Sequence, residues 1–97
     1  MSFADFDEKA IREICRATGL TDERFGGLIG ARRGRVLKLK SGQSHAGWGE
    51  NHLLALIKKR HTERGVGARL YFMKLADRVN EFGPPAAFAL LFTGEDP

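Results

Sequence analysis

Between Thr21 and Gly42 the sequence TDERFGGLIGARRGRVLKLKSG holds two short helical patterns separated by one sharp turn, and no other stretch constrains the possible folds as tightly. The first pattern opens on Thr21, a good helix N-cap, and follows it with Asp22 and Glu23, whose charges suit the positive end of a helix. Phe25, Leu28 and Ile29 then fall at i, i+3 and i+4 and form one apolar stripe. Gly30 ends the pattern, since glycine accepts the left-handed conformation that a helix C-terminus commonly needs. After Ala31 a second pattern begins, with Val36 and Leu39 as its apolar edge and Arg32, Arg33, Arg35, Lys38 and Lys40 on its other faces. Leu37-Lys38-Leu39-Lys40 alternates as an edge strand does, but the helical patterns on both sides argue against a strand.

These positions resemble the helix-turn-helix of the phage repressor and Cro family of DNA-binding domains: polar Thr21 and Asp22, apolar Phe25, small Gly26, apolar Ile29, turn Gly30, apolar Val36 and Leu39, and the closing Ser41-Gly42. The resemblance covers roughly residues 6 to 60. It implies that the helix from about Arg32 to Lys40 enters the major groove while the preceding helix lies across the backbone. It also implies that Arg33, Gly34 and Lys38 touch base edges, and that the segment holding Gln43, Ser44 and His45 meets phosphates. Arg32, Arg35, Lys40 and Ser41 complete the expected contacts to the DNA backbone. Control of a phage or mobile element is the setting that the family suggests.

Three positions depart from the family pattern. Asp22 stands where a phosphate-contacting amide is usual, Arg32 where a hydroxyl N-cap is expected, and Gly34 inside the recognition helix. Two arginines at a helix start oppose its dipole, and an interior glycine costs about 1 kcal/mol relative to alanine. Phosphate oxygens can supply the missing negative charge, and Gly34 lets the backbone come close to a groove. The competing reading is a poorly formed, mobile surface helix with solvated charges.

Charge is unevenly distributed. The 97-residue chain carries a net +4, but Arg32 to Arg64 alone holds nine Lys and Arg against two acids, a local +7, and the remainder sums to −3. A basic centre with acidic flanks is the footprint of a polyanion-binding protein, and by itself it does not separate DNA from RNA or acidic lipid. A length of 97 residues with 42% hydrophobic content fits a single domain with one core. Cys15 has no cysteine partner and lies on an apolar helix face, which predicts a buried thiol and a reducing, cytoplasmic setting. No apolar run approaches the length of a membrane span, and the acidic N-terminal residues do not read as a signal peptide.

Along the chain, Asp5 to Glu8 has capping-box spacing, and Ile11, Ile14, Cys15 and Thr18 follow as the inner stripe of a first helix closed by Gly19. Phe3 and Phe6 are placed over one end of the core, and Trp48, in a loop, as a lid upon it. The next helix is expected from about Glu50 to Thr62 with Leu53, Leu54 and Ile57 inward. Its last turns hold Lys58, Lys59, Arg60 and His61, which suit the helix dipole; the lysines read equally as phosphate contacts or as solvated charges. A helix from Ala68 to Phe82 and a short one from Pro85 to Phe92 complete the chain, separated by Gly83-Pro84-Pro85.

The expected fold is therefore all-α: a compact bundle of five or six helices, with residues 1–64 as the DNA-binding part and 65–97 as a C-terminal helical dimerisation appendage. The segment after Pro85 is apolar nearly all round and must be buried. Phe72, Leu75, Val79, Phe82, Phe88, Leu91 and Phe92 are the candidates for an interface between two copies, with an intrachain core as the alternative. His45, His52 and His61 lack metal-ligand spacing, GARRGR lacks the Lys-Ser/Thr of a phosphate loop, and no paired carboxylates are recognisable. No enzyme, cofactor or small-molecule ligand is expected. The sequence reads as a dimeric transcriptional repressor of double-stranded DNA, and the rival is an antitoxin or adaptor that binds another protein through its apolar C-terminal segment.

Overall fold

The first two helices among the described residues start and stop at capping residues. In the computed structural model, which describes residues 6–97, the Asp7 side chain accepts from the Ala10 amide at 2.8 Å and opens α1 (Glu8–Thr18). Phe3 and Asp5 lie outside the described residues. Thr21 accepts from the Arg24 amide at 3.3 Å and opens α2 (Asp22–Ile29), which Gly30 closes at φ 71°. Then come α3 (Arg33–Ser41), α4 (Trp48–Arg64), a 3-10 turn at Gly65–Gly67, α5 (Ala68–Phe82) and α6 (Pro84–Thr93). No strand occurs among the described residues, so the alternation at Leu37–Lys40 belongs to a helix. No helix among them is long and apolar enough to cross a membrane.

The inner stripes meet in one core. Ile11, Ile14, Cys15 and Thr18 of α1, Phe25, Leu28 and Ile29 of α2, and Val36 and Leu39 of α3 are all buried, and Leu54 and Ile57 of α4 join them. Leu53 is only half-buried against their edge. Phe6 packs on the same core, and its amide donates to Asn51 Oδ1 at 3.1 Å. Burial raises the Cys15 thiol pKa, and nearby Lys40 opposes that rise. Burial disfavours the thiolate, and Sγ donates weakly to Asp22 Oδ1 at 3.8 Å, so this cysteine is a buried, protonated thiol at the edge of the core.

The C-terminal helices are part of this core. The sequence assigned Phe72, Leu75 and Leu91 to an interface between copies, but each is 0% exposed within the chain. Turning any of them outward forfeits about 1.5–3 kcal/mol of burial, so they cannot also form a second surface. Val79 and Phe88 are half-buried against the glycines of α2: a Cβ added to Gly27 would sit 2.8 Å from Val79 Cγ1, and one added to Gly30 3.1 Å from Phe88 Cζ. The glycine face of α2 thus admits α5 and α6 into the bundle. A radius of gyration of 12.1 Å, against about 13 Å for an ordinary 100-residue domain, leaves no room for a projecting appendage. Of the proposed interface, only Phe82 and Phe92 stay exposed, at 60% and 69%.

Two arginines of α4 fasten the end of α6. Arg60, 7% exposed, donates from Nε to Leu91 O at 2.9 Å and from Nη2 to Phe92 O at 3.1 Å, while Nη1 pairs with Glu63 at 2.8 Å. Arg64 donates to Gly94 O at 2.8 Å, pairs with Asp96 and lies 3.8 Å over the Tyr71 ring. Arg60 therefore satisfies the orphan carbonyls of another helix rather than the dipole of its own, as its position in the last turns of α4 had suggested. Trp48 is a second correction. It is 79% exposed and stacked on His52 at the start of α4, covering no core.

Candidate nucleic-acid interface

The elbow between α2 and α3 is closed so tightly that its geometry depends on one hydrogen atom. The Ala31 amide donates to Gly26 O at 2.8 Å, and a Cβ on Gly26 would lie 2.3 Å from Ala31 O and 3.0 Å from Val36 Cγ2. Any side chain at residue 26 would push the turn, and with it α3, away from α2.

On α3 the side chains divide into two sets. Val36 and Leu39 point inward at 0% and 1% exposure. With about 100° of rotation per residue, Gly34 and Ser41 point outward, with Leu37 and Lys38 on either side of them and Arg33 one turn before Leu37. Arg32, Arg33, Gly34, Leu37, Lys38 and Ser41 are all exposed. No side chain caps Arg32, and a Cβ at Gly34 would meet nothing within 4 Å. The outward row is largely open to solvent, and Gly34 has no packing duty.

Two cations expected at the DNA backbone are ion-paired within the chain and only partly exposed. Arg35 grips Glu50 with Nε to Oε2 at 3.1 Å and Nη2 to Oε1 at 2.7 Å, and Nη2 also donates to His45 O at 2.9 Å. Glu50 in turn accepts from the Gly47 amide at 2.8 Å, so one carboxylate ties α3 to the start of α4. The Arg35 guanidinium, more than the Gly47 amide, holds the Glu50 carboxyl below the usual carboxylate range. Lys40 donates to Asp22 Oδ1 at 2.7 Å. A half-buried lysine paired with a half-buried aspartate satisfies the fold first, and this explains the carboxylate at the α2 start.

Beside α3 lies a cleft of about 620 Å³ whose lining brings Arg12 and Arg16 of α1 together with Arg33, and with Asp22, Glu23 and Lys40. Arg12 reaches α3 directly, donating from Nη1 to Lys40 O at 2.6 Å. Sequence reasoning missed Arg12 and Arg16, although their i, i+4 spacing on the outer face of α1 was visible. On the other side of α3 the Ser44 amide donates to Lys38 O at 3.3 Å, Ser41 Oγ donates to the same carbonyl at 3.2 Å, and Gln43 and His45 are exposed. Lys58 and Lys59 are exposed, and Lys58 lines a separate groove with Phe6, Glu13 and His61. The structure thus gathers Arg12, Arg16, Arg33, Leu37, Lys38, Gln43 and His45 around one helix and takes Arg35 and Lys40 out of the exposed set. Comparison with protein-family models, curated proteins and solved structures finds no match.

Proposed function

We propose that this chain is a sequence-specific, double-stranded-DNA-binding transcriptional regulator of the helix-turn-helix kind, working in the cytoplasm and occluding a promoter as a repressor. The observation that carries the reading is the outward row of α3: a helix with cations on its solvent side and bare backbone at Gly34, braced from both flanks. A major groove about 12 Å wide admits such a helix. Arg33 and Lys38 then face base edges, with Arg suited to guanine O6 and N7. Arg12, Arg16 and Arg32 are the backbone contacts in this account, with Gln43, Ser44 and His45 on the opposite flank. Selection from a random duplex pool tests it: an enriched motif whose affinity falls steeply with salt supports the reading, and each lost phosphate contact should lower the log-log slope by about 1. Absence of any duplex binding at low salt would sink it.

A repressor of this kind pairs two copies on a pseudo-palindromic site with half-sites about 34 Å apart. Phe82 and Phe92, together with Leu70 and Met73 on the outer side of α5, are the exposed apolar residues that favour such pairing. They equally favour the rival reading, an antitoxin or adaptor that binds another protein. A solution mass twice that of the chain, and an enriched motif with two inverted halves, supports the dimer. A monomer bound to a single half-site refutes it.

A further inference from the structure

Leu37 is out of place for a fold-determining residue. The core contacts of α3 are made by Val36 and Leu39, whereas Leu37 is 40% exposed on the solvent side, beside Lys38 and one turn after Arg33. One turn before it, at Gly34, no atom lies within 4 Å of where a Cβ would stand, so the helix surface is open there. An aliphatic side chain held among cations leaves apolar area in water that a smaller or polar residue would not. The fold does not cover the exposed 40% of it.

The major groove does. Its base edges present donors, acceptors and one apolar group, the C5-methyl of thymine. Resting on the DNA-binding reading above, we propose that Leu37 reads one thymine of the target through that methyl group. Arg33 and Leu37 are four residues apart, about 6 Å along the helix at 1.5 Å per residue. With base pairs stacked about 3.4 Å apart and the helix inclined along the groove, that places the thymine about one to two steps from the base that Arg33 contacts. The bare backbone at Gly34 lets α3 sit deep enough for a short side chain to reach the methyl. Lys38, on the other side of the outward line, addresses the opposite wall of the groove.

The test uses the full chain and the duplex that it enriches from a random pool. Each thymine of that duplex is replaced singly by deoxyuridine, which removes only the methyl group, and affinity is measured by fluorescence anisotropy at fixed salt. The wild-type chain should lose about fourfold at one thymine, the worth of one buried methyl-sized group. Leu37→Ala should bind the thymine and deoxyuridine forms of that position equally, and keep the wild-type response at every other thymine. Its circular dichroism should match wild type, because the residue stands outside the core. Equal wild-type affinity for all deoxyuridine forms overturns the proposal, and so does a Leu37→Ala chain that still discriminates. Salt-dependent binding to random duplex with no enriched motif overturns the Leu37 assignment while leaving DNA binding intact. Failure to bind any duplex overturns both.

Discussion

Replacing Gly26 with alanine tests the elbow at its tightest point. The new Cβ would stand 2.3 Å from Ala31 O, where ordinary contact begins at 3.4 Å, so the turn must move by about 1 Å. Overpacking of this kind costs about 1–3 kcal/mol, and weakening the 2.8 Å bond from the Ala31 amide to Gly26 O adds about 0.5–1.5. Alanine returns about 1 kcal/mol in helix propensity, which leaves a net loss of about 2 kcal/mol. In a domain this small that lowers the melting temperature by about 8–16 °C. Gly34→Ala is the matched control: the same chemical change on the next helix, with nothing within 4 Å, should raise stability by up to about 0.5–1 kcal/mol. Urea unfolding followed by circular dichroism at the helix band is the assay. Trp48 fluorescence is unsuited to it, because a side chain 79% exposed in the native state changes little on unfolding. A Gly26→Ala chain as stable as wild type would refute the close-packed elbow, and equal changes at the two glycines would refute the argument from local space.

Gly34→Ala should also weaken binding to the selected duplex severalfold despite its added stability; unchanged affinity would mean that the backbone there does not approach DNA. Glu50→Gln should cost about 1 kcal/mol at neutral pH, a figure reduced for solvent screening because Arg35 is 35% exposed. Since the folded-state pKa of Glu50 lies below the ordinary 4.5, wild type keeps this stabilisation above that pH and loses it as pH falls through the folded value. The difference between the two chains should therefore shrink in acid, and a difference constant with pH argues against the Arg35–Glu50 pair as its source. Arg60→Lys removes the fork that holds Leu91 O and Phe92 O and should cost about 2 kcal/mol, with faster amide exchange near the end of α6; unaltered exchange there would contradict the fastening role. Trp48→Ala should leave stability within about 0.5 kcal/mol, and a larger loss would mean that the indole covers something.

The start and stop of α2 were legible because they depend on a few adjacent residues, whereas α4, expected from about Glu50 to Thr62, runs from Trp48 to Arg64, and Asp7 rather than Asp5 caps α1. Thr21, Gly30 and the stripe Phe25, Leu28, Ile29 act within one turn of chain, and each is found as read. Trp48 was misjudged because the worth of burying an indole says nothing about which way the first turn of α4 faces, and that turn leaves the ring 79% exposed. The C-terminal stripe was misassigned for a related reason. Counting apolar side chains shows that Phe72, Leu75 and Leu91 need cover, but not whether the cover comes from the same chain. That depended on Gly27 and Gly30 presenting a face of α2 low enough for Val79 and Phe88 to approach, which is a property of two distant segments together. The inward turn of Arg35 and Lys40 was hidden likewise, since their partners Glu50 and Asp22 lie 15 and 18 residues away.

The two-sided character of α3 separates what keeps this protein folded from what it presents to the outside. Residues 36 and 39 fill the core, 35 and 40 brace the neighbouring helices, and 33, 34, 37, 38 and 41 lie on the solvent side. Mutational drift is therefore cheap on one half of the helix and costly on the other. A library varied at the five outward positions without proline should remain largely folded, so a lineage built on this scaffold can change the surface that α3 presents without passing through unstable intermediates.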